Sequence, residues 1–290
     1  MKIAVSGATG QLGTLVVEEL KKRVPHDQII ALVRSPEKAV NLGVETRVCD
    51  YNKRDIMTEA LIGIDRLLLI SSNEVGQRAK QHLNVIEGAF KSGVKWIVYT
   101  SLLRADSSSL SLASEHDATE KSIIEWGIDY TFLRNGWYTE NYANSIRGAV
   151  EGGALIGSAG NGRISSASRA DYAEAAAVVI TDESHKGKVY ELAGDVSFTM
   201  EELAAEISKQ SGKNIPYTNL SGAEYVKALE SFDTPTPLAE TIAGWDVSAS
   251  RNDLYDNSRQ LSRLIGRPTT PLADIVREEL KRRPSNIQNE

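Results

Sequence analysis

The run Lys2-Ile-Ala-Val-Ser6, followed at once by Gly7-Ala8-Thr9-Gly10-Gln11-Leu12-Gly13, constrains this chain more than any other stretch. The first segment is short, apolar and β-branched, which suits a strand covered on both faces. The second is glycine-rich and leads into residues 11–23, where Leu12, Leu15, Val16 and Leu20 share one helical face. A strand, a glycine turn and a helix in that order make a phosphate cradle. Glycines lack a Cβ, so the turn is tight and a ligand can reach the main chain, while the helix N-terminus offers free N–H groups. Gly13 is expected to let the helix pack close to the sheet.

The alternation continues. Apolar strands are expected at 29–33, 46–48, 67–70, 96–100 and 130–133, with helices at 56–61, 78–92 and 114–126 between and after them. Strands alternating with helices imply parallel βαβ units with right-handed crossovers. The fold class is therefore α/β: a doubly wound parallel sheet, Rossmann-type, whose ligands bind outside the carboxyl ends of the strands. The second half is less regular. Residues 143–169 are rich in Gly and Ser, 170–180 suggest a helix capped near Asp171, and 188–193 suggest a strand. Helices are expected at 199–211, opened by a Thr199–Glu202 capping box, at 221–231 and at 271–282. This predicts a dinucleotide-binding domain over 1–142 and a smaller C-terminal α/β lobe over 143–290, with the chain free to cross between them. The polar tail after Arg283 is expected to fray.

Composition removes several function classes. The 290 residues, 41% hydrophobic, can bury a core that needs no covalent staple. Cys49 is the sole cysteine, so no internal disulfide can form and a reducing cytoplasm is the natural compartment. It reads as a small core residue on a strand in preference to a reactive thiol. A net charge of −6 argues against a nucleic-acid surface. No apolar run approaches the roughly 20 residues that span a bilayer, and a strand pattern starts directly after Met1 and Lys2, where a signal peptide would stand. A cytoplasmic protein is expected.

The second strand selects the cofactor. Chains that bind NAD usually carry Asp or Glu there, to accept the ribose 2′-hydroxyl. This chain has Ala31-Leu-Val-Arg34-Ser35, with no acid. Arg34 offers a planar cation suited to a 2′-phosphate, with Lys38 one turn farther on, which points to NADPH; a solvated arginine is the plainer alternative. Asp50 and Tyr51, after the third strand, fit contacts to adenine, though an Asp there is as often a turn former. Ser71-Ser72-Asn73, after the fourth, should run beside the pyrophosphate and the nicotinamide ribose.

The G-x-x-G-x-x-G spacing resembles the extended and atypical short-chain dehydrogenase/reductase families. Classical members reduce carbonyls with Ser, Tyr and Lys, the last two as Tyr-x-x-x-Lys. Here Ser101 ends the fifth strand and Lys121 lies on the next helix, but Asp117 occupies the tyrosine position, beside His116. Lys121 can still hold ribose hydroxyls and, with Tyr138, is a candidate catalytic residue, and Ser101 stays among the cofactor contacts. The missing acid restricts the acceptor. Hydride transfer to a ketone makes an alkoxide, whose conjugate acid is about as weak as bulk water. Transfer to a quinone leaves a phenolate-like anion with a pKa of about 10, which water can protonate.

After the sixth strand comes Leu133-Arg134-Asn135-Gly136-Trp137-Tyr138, dense in aromatic and amide groups. Tyr138 can donate to an acceptor oxygen, and Trp137 can wall a flat ring. The plainer alternative is an aromatic hinge that packs the small lobe. His82 and His185 read as surface residues without a second ligand at useful spacing, so no metal is expected. His116 has a small claim to touch substrate. Arg169 and Asp171 read as a helix cap bracing the cofactor loop. Ser101, His116 and Asp117 lack a nucleophile elbow, which argues against a hydrolase.

Together with residues 69–78, 99–103, 189–194 and 264–270, these motifs resemble the NmrA-like atypical reductases along essentially the whole chain. The resemblance implies an NADPH-binding domain, a small C-terminal domain and a quinone pocket in the cleft between them, with hydride passing directly and no flavin. By position it assigns Gly7 to Gly13, Arg34, Ser71 to Asn73, Gln77, Lys121 and Asn135 to Tyr138 to the cofactor. Members of the group also reduce triphenylmethane and azo dyes. Others act as dinucleotide sensors bound to a protein partner.

Overall fold

The computed structural model describes residues 1–282; the expected fraying after Arg283 lies outside them. β1 (Ile3–Ser6), α1 (Gln11–Lys21), β2 (Ile29–Val33), β3 (Glu45–Val48), α2 (Arg54–Ala60), β4 (Arg66–Leu69), α3 (Arg78–Ser92), β5 (Trp96–Leu102), α4 (Ala113–Glu125) and β6 (Asp129–Asn135) follow one another as the alternation predicts. Every residue of β1, β2, β4 and β5 is buried, as fits strands covered on both faces. Alternate residues serve opposite layers. Ile3 and Val5 join Val16, Val17 and Leu20 of α1, while Ala4 joins Met57, Val85, Ile86 and Ile123 from α2, α3 and α4.

With β8 (Val189–Leu192) at one edge, the seven strands lie in the order β3-β2-β1-β4-β5-β6-β8, all neighbours parallel. Strand order reverses between β1 and β4, so the crevice for a ligand opens there, at the carboxyl edge. After β6 come α5 (Ala143–Gly152), β7 (Leu155–Gly157), α6 (Arg169–Thr181), β8 (Val189–Leu192), α7 (Met200–Ser211), β9 (Tyr217–Asn219), α8 (Gly222–Ser231), α9 (Thr236–Ser250), α10 (Gln260–Ile265) and α11 (Leu272–Lys281). The chain does not divide at residue 142. β8 extends the main sheet beside β6, and α6 and α10 bury Tyr172, Val179, Ile180 and Leu261 against the α1 face. A separate core of Ile146, Leu155, Leu203, Ile207, Ala249 and Val276 holds the second lobe, with β7 paired to β9.

One local expectation changes and another holds. Helix α6 is capped by Ser168, whose side chain accepts from the Asp171 N–H; Asp171 is the third residue inside. Its carboxylate instead takes the Thr270 N–H at 2.8 Å and Arg267 at 2.8 Å. The capping box Thr199–Glu202 forms with both of its hydrogen bonds. Among the described residues no helix is long and apolar enough to cross a membrane.

Candidate functional site

At the glycine turn, Gly7 has φ +60°, a conformation that glycine takes without strain. Its carbonyl accepts from Gly10 N–H at 2.9 Å, and Gly10 caps α1 with no side-chain hydrogen bond and no acid in the first turn. The helix N-terminus therefore keeps its partial positive charge for an anion. A Cβ on Gly13 would stand 2.2 Å from the Gly7 carbonyl oxygen and 2.8 Å from Ala8 Cα. What Gly13 makes room for is thus the turn itself, before any contact with the sheet. Ala8 and Leu12 put their side chains into the core, so only their backbone faces a ligand, whereas Thr9 and Gln11 are exposed. This bare backbone fits a dinucleotide pyrophosphate.

Where the sequence expects the adenosine end, the structure has exposed charge. Arg34 stands at the end of β2 with its side chain 65% exposed, and its Nη1 reaches Glu74 Oε1 at 3.4 Å. Such a pair in water contributes only about 0–1 kcal/mol, so the guanidinium is free to exchange partners. Lys38 is exposed nearby in sequence. Asp50 accepts from the Asn52 N–H at 3.0 Å, which is the turn-forming alternative. Tyr51 serves the fold first. Its hydroxyl lies 2.5 Å from Ser6 Oγ and 2.9 Å from the Ile70 carbonyl, tying β1 to β4 beneath the crevice, and burial pushes its pKa well up.

Residues 71–78 are fixed from below. Ser71 N–H donates to Thr100 Oγ1 at 2.9 Å, and Ser72 N–H donates to His82 Nε2 at 2.9 Å. The Ser72 carbonyl accepts from Arg78 Nε at 2.7 Å. His82 is fully buried, so its expected surface position is corrected. Since an N–H can only donate, Nε2 is the acceptor and Nδ1–H faces Thr119 Oγ1 at 3.0 Å. Burial, then the Arg78 charge, brings the His82 pKa down to about 3. His116 is buried too, bonded to the Tyr99 hydroxyl at 2.7 Å and shifted well below its ordinary value by burial and Arg78; it is a brace under the loop. The signal was present in the sequence: 78, 82, 85, 86 and 89 form the inward stripe of α3, and His82 sits on it. His185 is half-buried, with Nδ1 2.6 Å from the Tyr190 hydroxyl. Asn73 and Gln77 are exposed along this segment, Gln77 heading α3.

At the chemical end the structure separates residues that the sequence grouped. The Ser101 hydroxyl is buried and given to Glu120 Oε1 at 2.5 Å. Glu120 also takes Arg134 in a two-point bond, Nε at 2.9 Å and Nη2 at 2.7 Å, while Arg134 Nη1 reaches Asp106 at 2.9 Å and Glu191 at 3.0 Å. This buried cluster, overlooked in the sequence, locks β5, β6, β8 and α4 together. Lys121 lies one residue past Glu120, about 100° around the helix, so it points outward: 66% exposed and paired with Asp117 at 2.6 Å. Neither Ser101 nor Lys121 is brought to Tyr138, and Ser101, His116 and Asp117 each bond elsewhere.

Residues 135–138 form a rigid corner. Gly136 N–H donates to the Leu192 carbonyl at 2.7 Å, and a Cβ there would come within 3.1 Å of that same oxygen. Tyr138 packs edge-on to Tyr172 at 5.2 Å under the Arg169 guanidinium, 4.6 Å from its ring centre. Arg169 also holds Asn141 at 2.8 Å, bracing this loop as expected. Burial raises the Tyr138 pKa, partly offset by the Asn135 amide 3.5 Å from its hydroxyl. Asn135 Oδ1 is buried without a partner among the described residues. Trp137 turns the other way, into the second lobe's core and edge-on to Trp245 at 5.4 Å, which is the hinge alternative. Hollows of about 590 Å³ beside Arg47 and Ile62 and about 360 Å³ between Ser111 and α9 include no residue of the glycine turn or of 135–138.

The sequence profile described as the NmrA-like family matches residues 1–272. The chain is 56% identical over 277 residues to quinone oxidoreductase 2 of Escherichia coli, covering 94% of this chain and 97% of that protein. It is similar to the crystal structure of the E. coli NADPH-dependent quinone oxidoreductase complexed with NADPH, with a TM-score of 0.94 and 55% identity over 96% of this chain and all of that one. Citrobacter sp. triphenylmethane reductase is similar as well, with a TM-score of 0.93 and 40% identity over 97% of this chain and all of that one. The chain belongs to the NmrA-like family.

Proposed function

We propose that this protein is an NADPH-dependent quinone oxidoreductase that works without flavin. One arrangement carries the reading. A bare glycine turn, an exposed arginine after β2 and a rigid aromatic corner after β6 share the carboxyl edge of one parallel sheet, where a dinucleotide would lie across the reversal of strand order. The likeness to the E. coli enzyme supports it.

When bound, NADPH supplies a hydride, two electrons with one proton, and leaves as NADP⁺. The chain's own residues do the rest. Backbone N–H groups of 11–13 hold the pyrophosphate, Arg34 holds the 2′-phosphate, and the segment 71–73, pinned through Ser72, supports the cofactor's middle. Residues 135–138 orient the nicotinamide and the acceptor in the cleft between the lobes. The Asn135 oxygen, left without a partner, suits the carboxamide N–H₂. Tyr138 donates a hydrogen bond to the quinone oxygen, and its raised pKa keeps the phenol protonated for that purpose. The second proton comes from water, since a phenolate-like product with a pKa of about 10 needs no stronger acid. Lys121 stands outward, paired with Asp117, and is assigned no step in this reading.

The likeness to triphenylmethane reductase supports a second acceptor class, because such dyes are also conjugated and electrophilic. Mixing the purified protein with NADPH and a panel of quinones and cationic dyes tests both. NADPH consumption that starts only on adding a quinone is expected. Tight NADPH binding with no turnover on any member would overturn the enzyme reading in favour of a dinucleotide sensor, and turnover of dyes alone would replace the quinone.

A further inference from the structure

The end of β2 carries Arg34 and no acid, which by itself leaves the 2′-hydroxyl of NADH without an acceptor. The fold supplies one from a different loop. Glu74, between β4 and α3, brings Oε1 to 3.4 Å from Arg34 Nη1. The rest of Glu74 is anchored. Its backbone N–H donates to Ser72 Oγ at 3.1 Å, and its Oε2 accepts from the buried Gln81 amide at 2.7 Å, which also reaches Asn52 at 3.1 Å. One carboxylate oxygen is thus tied to the floor of the crevice while the other is presented beside the guanidinium.

We infer that Glu74 is the ribose-binding carboxylate of this site, opposed to Arg34 in cofactor choice, so that the protein takes NADH as well as NADPH; this rests on the NADPH reading above. The two groups discriminate in opposite directions. A 2′-hydroxyl has a proton to donate and meets a charged acceptor in Glu74. A 2′-phosphate has acceptor oxygens and about −1.5 to −2 charges, so it is drawn to Arg34 and repelled by Glu74. Arg34 outweighs Glu74 for NADPH because its contact is direct and charge-assisted, whereas the repulsion acts through water. Glu74 therefore limits how tightly both NADPH and the product NADP⁺ are held.

Titrating NADPH and NADH into the full chain, followed by cofactor fluorescence, tests this with Glu74→Gln and Arg34→Ala. The glutamine keeps the bond to Gln81 but loses the charge. NADPH should bind about threefold tighter and NADH about threefold weaker, a roughly tenfold wider preference, since the glutamine's one oxygen stays on Gln81 and the 2′-hydroxyl meets a neutral N–H₂ in place of a charged acceptor. If Glu74→Gln leaves the ratio of the two affinities unchanged, or weakens both equally, while Arg34→Ala still selectively weakens NADPH, the Glu74 assignment alone is overturned. If Arg34→Ala spares NADPH, the reading of the site falls with it. Glu74→Ala gives the same comparison should the glutamine variant fold poorly.

Discussion

At the adenosine end of this crevice the charges stand in water, and at the chemical end they are locked between secondary-structure elements. Arg34 and Glu74 meet at 3.4 Å with side chains 65% and 41% exposed. Arg134 and Glu120 meet in two bonds below 3 Å, with side chains 11% and 6% exposed. An exposed pair is worth little, so it can open to admit a phosphate; a buried pair cannot open without leaving a charge stranded. In the proposed site, recognition of the cofactor tail would therefore rest on adaptable electrostatics, while the framework beneath the chemical end rests on packing.

Breaking the buried side should have the largest effect. Arg134→Ala strands Glu120 and removes the tie to Glu191, so urea unfolding should show a loss of about 3–5 kcal/mol. A loss below about 1 kcal/mol would place this cluster in the same class as the exposed pair and remove the contrast. Next comes pH. His82 titrates near 6.5 unfolded but at about 3 folded, so the native state disfavours its proton. The stability it supports is fully present above about pH 6.5 and is lost as pH falls toward about 3, by at most about 1.4 kcal/mol for each pH unit. His82→Gln should flatten that slope in acid unfolding curves; an unchanged slope would move the acid sensitivity elsewhere. The smallest effect belongs to Lys121→Ala. It removes an exposed, solvent-screened pair on α4 and should leave the unfolding midpoint nearly where it was, with NADPH affinity unmoved. A large loss of affinity would show that Lys121 turns inward on binding.

The same contrast explains what could be read before the fold was known. Strands β1 to β6 were visible because continuous apolar runs bounded by turns have few other uses, and Gly7 to Gly13 because a bare turn between strand and helix is a local pattern. Helix α5 was hidden by Gly148 and Gly152, and α9 by an inward face of Ala239, Ala243 and Ala249 too small to register as apolar periodicity. That β8 joins β6 depends on contacts 57 residues apart, such as Arg134 to Glu191. Ser101 and Lys121 were placed by family position, and the side-chain directions set by β5 and α4 overrule it: one turns to Glu120, the other to solvent. Arg34 was legible as a lone cation, whereas its partner Glu74, 40 residues away, was not.

Whether Arg34 reads the extra phosphate decides the cofactor assignment, and with it the direction in which the dinucleotide lies along the crevice. Titration of NADPH and NADH into the wild type and Arg34→Ala measures this directly. NADPH should lose about 1.5–3 kcal/mol of binding free energy, the scale of a charge-assisted hydrogen bond, with NADH almost unaffected. Equal affinities of the two proteins for NADPH, or an equal loss for both cofactors, would contradict the account.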